Sequence, residues 1–190
     1  MKFLCSYVIL PTILLLQIGL GQETFKLDKK VSELMWTGYA AAGSYSLSGF
    51  ITPKDGQIQI NKEEIVEAQL TLNMKSIDSE NRRLEKNLKS DNFFSVKDFP
   101  EAKFVLTTPI PFESGTHPAE GQLTLKGKTH PITTQMTCVK SEDGYRLQGK
   151  FIVNRTQFGI THLSLTYFKD AGEYAISDEF DLRYDVNFAK

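Results

Sequence analysis

Cysteine is almost missing from this chain. Of its 190 residues two are Cys, at positions 5 and 138. Cys5 lies ahead of an apolar N-terminal run, so the body of the protein holds Cys138 alone and has no partner for an intrachain disulfide. In strand alternation such a thiol reads as a small buried hydrophobe; a nucleophile needs a neighbouring base, and none is identifiable. An excess of either charge is missing too, with 22 Lys and Arg against 23 Asp and Glu, interleaved along the chain. Nucleic acid demands a basic face and an anionic membrane surface a polybasic patch; the sequence offers neither. Catalytic and metal motifs are lacking as well. There is no G-x-S-x-G, P-loop or G-x-G-x-x-G, and His117, His130 and His162 stand without metal-ligand spacing. Asp178 and Glu179 project to opposite faces of a strand and cannot converge on one atom. His130, beside Pro131, reads as a solvated residue of a turn. No metal, cofactor or catalytic residue is expected.

Long apolar runs are confined to the start. Lys2, the apolar stretch from Val8 to Leu16, and Gly19 and Gly21 read as a secretory signal peptide over residues 1–21, cut before Gln22. The stretch is shorter than the ~20 residues of a membrane span, and Pro11 interrupts it. Cleavage would leave residues 22–190, one domain by length, large enough to bury a core without staples. That domain is expected to be periplasmic or secreted.

What the sequence does have is alternation with period two. In "IVEAQLTLNM" Val66, Ala68, Leu70, Leu72 and Met74 share one face. Phe104, Leu106, Ile110 and Phe112 fall on one parity, as do Leu123 and Leu125, and Ile132, Met136 and Cys138. Tyr145, Leu147, Phe151 and Val153 oppose Arg146, Gln148, Lys150 and Asn154. The last run sets Ile176, Phe180, Leu182, Tyr184, Val186 and Phe188 against Glu179, Asp181, Arg183, Asp185 and Asn187. Turn signals separate the runs at Pro53–Gly56, Glu113–Gly115, Glu142–Gly144 and Asp170–Gly172. About eight strands, each wet on one face, make an antiparallel sheet. Closure into a barrel removes its edges, and a two-sheet sandwich fits the periodicity nearly as well.

One segment breaks the period. "DSENRRLEKNLKS" carries Leu84 and Leu88 four apart and Glu85 four before Lys89, with Asp78 or Ser79 as N-cap. It reads as a short helix burying two leucines, a lid over one end of the sheet. Phe93 and Phe94 follow it directly, and Asp98-Phe99-Pro100 then sets an extended path into the next strand. The two phenylalanines either fill core or line a pocket beneath the lid. Arg155 shares the apolar parity of Phe151 and Val153, where a lone charge is prohibitive. It either forms a salt bridge to an acid near the helix, Asp78 or Asp91, or serves as a polar anchor at a pocket mouth. Asn154-Arg155-Thr156 matches the glycosylation triplet, a motif common by chance.

Taken in order, these residues form a series. "MKSIDSENRRLEKNLKSDNFFSVKDFPEAKF", "GQLTLKGKTHPI" and "NRTQFGI" resemble the YceI-like proteins, a lipocalin-like family of polyisoprenoid-binding proteins. The resemblance runs over nearly the whole of residues 22–190 and departs at Tyr45, where many relatives carry His. It implies an all-β fold, an antiparallel eight-stranded lipocalin-like barrel, hollow, with a short helix capping one end. It also implies a bound isoprenoid such as a quinone or polyprenyl tail, and no established enzymatic chemistry. In a hollow barrel the inward positions Leu70, Leu72, Phe104, Leu106, Leu123, Leu125, Phe151, Val153 and Phe180 become ligand-lining. Leu84, Leu88, Phe93, Phe94, Phe99, Phe158 and Ile160 join them at the lid end.

Burying a methylene out of water is worth ~0.8 kcal/mol, but a membrane offers a tail the same apolar surroundings. Carriage or storage across an aqueous gap follows from that balance better than catalysis. An enzyme acting on an isoprenoid-type lipid would need titratable groups at the opening, and a stress-related structural module would have a filled barrel. Transient membrane contact and a homodimer are both compatible with the sequence.

Overall fold

A computed structural model describes residues 21–111 and 115–190. The signal-peptide reading of residues 1–20 and the assignment of Phe112 lie outside the described residues. The strands are β1 (Gln22–Ala40), β2 (Ser46–Phe50), β3 (Pro53–Asn61) and β4 (Glu64–Asn73), followed by the helix α1 (Arg82–Lys89). Then come β5 (Glu101–Leu106), the two-residue β6 (Ile110–Pro111), β7 (Thr116–Leu125), β8 (Lys128–Lys140), β9 (Gly144–Asn154) and β10 (Ile176–Ala189). Neighbouring strands pair antiparallel in the order β10-β9-β8-β7-β5-β4-β3-β1-β2, and β1 also pairs with β10, which closes the ring. Because β2 and β3 follow each other along β1, the result is a closed antiparallel barrel of eight strands. Closure decides against the sandwich, since no pair of edges remains to form two sheets.

Alternation holds on most strands. Tyr145, Leu147, Phe151 and Val153 are all buried, as are Leu182, Tyr184, Val186 and Phe188. It fails where a bulge intervenes. Gln59 pairs with Glu67 but Ile60 with Ile65, leaving Val66 as an extra residue. The inward direction flips there, so Ile65 is fully buried and Val66 only half-buried. "PKDG" is another correction: it opens β3 instead of forming a turn, with a register shift at Lys54 absorbing its irregularity. His130 likewise stands within β8 opposite Leu123, half-buried against the Phe158 ring at 5.1 Å. The turn lies earlier, at Lys126 and Gly127, both with positive φ, as a two-residue hairpin requires.

The lid helix forms where its leucines are spaced. Its N-cap is Asn81, not Asp78 or Ser79, and the Asn81 side chain accepts from the backbone N–H groups of Arg83 and Leu84. Glu85 and Lys89 pair at 2.6 Å across one turn. Asp78 works upstream: its carboxylate accepts from Phe50 N–H at 2.6 Å, and its carbonyl accepts from the Trp36 indole at 3.0 Å. These bonds bring the irregular segment leading to α1 against β2 so closely that a Cβ on Gly49 would stand 2.2 Å from the Asp78 carbonyl oxygen. The far end of the lid is held by the Lys126 ammonium, which donates to the Asp91 carbonyl at 2.9 Å.

The two ends of the barrel differ. At the end away from α1, Ile58, Ile60, Ile65, Ile110, Leu147 and Phe188 pack together with the edge-to-face pair Phe25–Tyr145 at 4.8 Å. At the α1 end the strands enclose space.

Candidate functional site

Beneath the lid lies a cavity of about 170 Å³. That is about the size of an apolar cavity that takes one benzene-sized group, roughly six carbons. Its strand walls are Trp36 of β1, Ile51 after β2, Leu72 of β4, Ala102 of β5, Leu123 and Leu125 of β7, Val153 of β9 and Phe180 and Leu182 of β10. Leu84 and Leu88 of α1 roof it, with Phe93 and Phe94 beside them. The chain can place both phenylalanines there because it turns tightly after the helix. Phe93 N–H donates to the Ser90 carbonyl and Phe94 N–H to the Leu88 carbonyl, and Ser95 takes a left-handed φ of 45°. Phe93 meets the His162 ring at 5.4 Å and Phe94 meets Phe180 at 6.3 Å. The opening lies toward the β1–β2 hairpin, where the lining residues Tyr39, Tyr45 and Leu47 are 36%, 56% and 42% exposed.

The polar groups of this cavity are few. Tyr39 donates to Asp181 at 3.0 Å, and that hydrogen bond, with some desolvation, raises its phenol above the usual tyrosine range. Glu179 and Ser177 stand at the rim. Arg155 is buried, 3% exposed, in the short 3-10 turn that follows β9. Its guanidinium donates to the carbonyls of Ser177 at 2.8 Å, Ile176 at 2.9 Å, Ile160 at 2.8 Å and His162 at 2.9 Å. Asp178 is the acid beside it, at 3.7 Å. The anticipated bridge to Asp78 or Asp91 is not made. Arg155 instead ties together both ends of the segment 160–178, and that segment touches the lid through His162 and Phe93. Burial pushes the guanidinium down while Asp178 pulls it back up. Burial raises the Asp178 carboxyl, but the Ser164 and Thr166 hydroxyls and the Arg155 charge outweigh it and leave it below the usual range.

The inward residues divide between two spaces. Leu72, Leu84, Leu88, Phe93, Phe94, Leu123, Leu125, Val153, Ile160 and Phe180 line the main cavity together with Arg155. Leu70, Phe104 and Phe151 lie deeper, around a separate pocket of about 30 Å³. Leu106 and Phe158 are buried but line neither space. Phe99 is 37% exposed and packs outside the barrel on the Lys126-Gly127 turn, where a Cβ on Gly127 would stand 2.6 Å from its ring. Its expected place in the lining is therefore corrected: Pro100 sends the chain into β5 before Phe99 can turn inward. Met74, on the apolar face of its run, joins the lining, and the further walls from β1 and Ile77 come from stretches that alternate poorly. Asn154 spends its side chain capping the turn, accepting from Thr156 N–H and hydroxyl. Burial raises the Cys138 thiol to about 12, which keeps it protonated and unreactive near neutral pH. Among the described residues no three His, Cys, Asp or Glu side chains cluster to hold a metal ion.

A family model described as the YceI-like domain matches residues 25–188. A UPF0312 protein of Shewanella denitrificans is 33% identical over 96 residues, a match spanning 48% of this chain and 45% of that protein. Another, from Pseudomonas putida strain W619, is 29% identical over 175 residues, covering 90% of this chain and 83% of the other. A solved polyisoprenoid binding domain from Saccharophagus degradans, implicated in plant cell wall breakdown, superposes with a TM-score of 0.67 at 15% identity, over 87% of this chain and 97% of that one. At that identity the likeness carries the fold.

Proposed function

This chain belongs to the YceI-like family, and from that premise we propose that it binds an isoprenoid lipid by its tail, as a carrier or store rather than a catalyst. The observation that carries this reading is the apolar cavity beneath α1, walled by aliphatic and aromatic side chains and open beside Tyr45 and Leu47. About six methylenes moved there from water would gain on the order of 5 kcal/mol before ordering costs. A tail arriving from a bilayer gains little, so loading and release both remain accessible. The test is mass spectrometry of lipid extracted from purified protein, followed by reloading of the delipidated form. An isoprenoid near one per chain, raising the melting temperature on reloading, is expected. Protein that yields none and does not respond to any isoprenoid would sink the reading.

Leu123 points into this cavity from β7. Leu123→Trp should therefore leave the barrel folded and reduce lipid uptake about tenfold or more, because the indole occupies the ligand's space. In a closed core the same change would overpack, at roughly 1–3 kcal/mol of stability. Uptake equal to the parent's would count against the cavity.

The mouth carries exposed apolar groups. Tyr39, Tyr45 and Leu47 stand there, and Leu165, Tyr167, Phe168 and Tyr174 are exposed on a segment tied to the same hairpin by Ala41 N–H donating to the Ala175 carbonyl at 2.9 Å. Tyrosine suits a membrane–water boundary, so transient membrane contact through this rim is part of the reading. So is export. Cleavage after Gly21 would leave Gln22 first, and intact-mass measurement of exported protein should find that terminus. Met1 retained on exported chains would exclude it.

A further inference from the structure

Residues 155–175 join β9 to β10, past the ~12–15 residues beyond which a connection without strands or long helices is uncommon. The base of this connection is tightly built. Arg155 donates to the carbonyls of Ile160 and His162 at one foot and of Ile176 and Ser177 at the other. Ile176 N–H donates to the Leu163 carbonyl at 2.8 Å, and Ser164, next along, is fully buried. The Ser164 carbonyl accepts from Tyr167 N–H at 3.1 Å and Phe168 N–H at 2.7 Å, and the Thr166 hydroxyl donates to Asp178 at 2.6 Å. Both feet, Ile160 and Ile176, stand in the cavity wall. The tip is the opposite of its base. Leu165, Tyr167, Phe168 and Tyr174 are 46%, 57%, 51% and 73% exposed, a concentration of large apolar side chains that marks a surface with a partner. Charge and size narrow the partner. The tip carries Lys169, Asp170 and Glu173, with no excess of positive charge to draw it to an anionic surface. A stable pair of copies buries ~800 Å² and about 20–30 residues on each side, far more than this tip presents. A bilayer interface accepts a few apolar side chains and takes tyrosine at its polar boundary.

We propose that residues 165–174 are a membrane wedge, which seats Leu165, Tyr167 and Phe168 in the interface of a phospholipid bilayer by apolar burial and not by charge attraction. This deepens the membrane contact of the reading above by assigning it to one element and one kind of force. The Arg155 cluster gives that element its rigidity. Held at both feet, the tip presents its side chains without first having to be ordered, which lowers the cost of docking. The same base fixes the docked bilayer relative to the cavity wall at Ile160 and Ile176. Ala41 N–H, donating to the Ala175 carbonyl at 2.9 Å, ties the tip to the hairpin at the cavity opening.

The test is flotation of the protein with vesicles of phosphatidylcholine, alone or mixed with phosphatidylglycerol. The parent should float with both, its partition changing by no more than about twofold with the anionic lipid or with added salt. Leu165→Ser and Phe168→Ser should each lower the partition about tenfold, since each withdraws one large apolar side chain from the interface. Their melting temperatures should match the parent's, because both side chains are exposed in the free protein. Phe168→Trp supplies a direct reading: brominated phosphatidylcholine should quench its emission, while the parent's single Trp36, in the cavity wall, is left unquenched. A parent that stays in the soluble fraction with both vesicles would overturn the wedge. Binding that needs phosphatidylglycerol and disappears with salt would overturn it too, by assigning the contact to charge. So would folded serine variants that float like the parent, or an unquenched Phe168→Trp. A parent that sediments as a dimer, with serine variants that are monomeric, would make the tip a contact between copies instead. These vesicles hold no isoprenoid, so failure here leaves the lipid extraction test of the cavity untouched, and failure there leaves the wedge standing.

Discussion

Arg155→Met is expected to cost the barrel about 3–5 kcal/mol of stability, the loss typical of a buried charge network deprived of one member. The guanidinium satisfies the carbonyls of Ser177, Ile176, Ile160 and His162 and faces Asp178. Met would fill the volume but leave those acceptors unpaired, and each buried acceptor without a donor is costly. Arg155→Lys should recover little, because one ammonium cannot reproduce a planar fork reaching carbonyls on both sides. For a domain of this size the melting temperature should fall by on the order of 10 °C. A thermal melt of each variant beside the parent decides it, and coincident curves would mean that segment 160–178 holds itself in place.

The same cluster gives the acid limb of stability a sign. Asp178 is held below its usual range in the folded protein. Its contribution is therefore complete above the unfolded value of about 3.9 and is lost as pH falls through the lower folded value. Asp178→Asn should flatten that limb below about pH 4 without changing its alkaline side.

Phe93→Ala and Phe94→Ala should separate lining from packing. In a closed core either truncation costs about 3–5 kcal/mol through lost burial and a residual void. Both rings, however, border the cavity beneath α1, so part of their surface already faces empty space and the cost in the empty protein should be smaller. The bound form should suffer more, because a ligand adds stability in proportion to RT ln(1 + [L]/Kd). For at least one of the two, the lipid-dependent rise in melting temperature should shrink by more than the melting temperature of the delipidated protein falls. Melting curves of delipidated and isoprenoid-loaded protein for parent and both variants make the comparison. An equal drop in the two forms would assign the pair to core packing alone. Phe94 reaches Phe180 across the cavity edge, whereas Phe93 is also engaged with His162. The larger ligand-specific effect is therefore expected at Phe94.

Much of this was legible in the residues. Alternation at Tyr145 to Val153 and Leu182 to Phe188 identified the inward faces, because a strand sends successive side chains to opposite sides whatever lies across from it. Leu84, Leu88 and the Glu85–Lys89 pair marked the helix for the same kind of local reason. The ordered series from Ser76 to Ile160 pointed to the family, and through it to a barrel. Those properties need only a short window of chain.

Other properties depended on what stands opposite. Val66 lost its inward place to Ile65 because the pairing of β3 with β4 admits one extra residue there. Asn81 took the cap because Asp78 was already engaged with Phe50 N–H and the Trp36 indole, across 28 and 42 residues of sequence. Arg155 announced by its parity that it needed partners, but their identity came from a segment returning 21 and 22 residues later. The division of the barrel into a hollow end and a packed end was decided the same way. Phe104, Phe151 and Tyr184 are inward residues like any others on their strands. They become a layer because strand register brings them to one level and sets Gly121 and Gly149 where two of the rings lie. Side-chain direction is a local consequence of backbone geometry and so could be read along the chain. Register, partnership and empty volume arise between strands, and the closed barrel had to form before they existed.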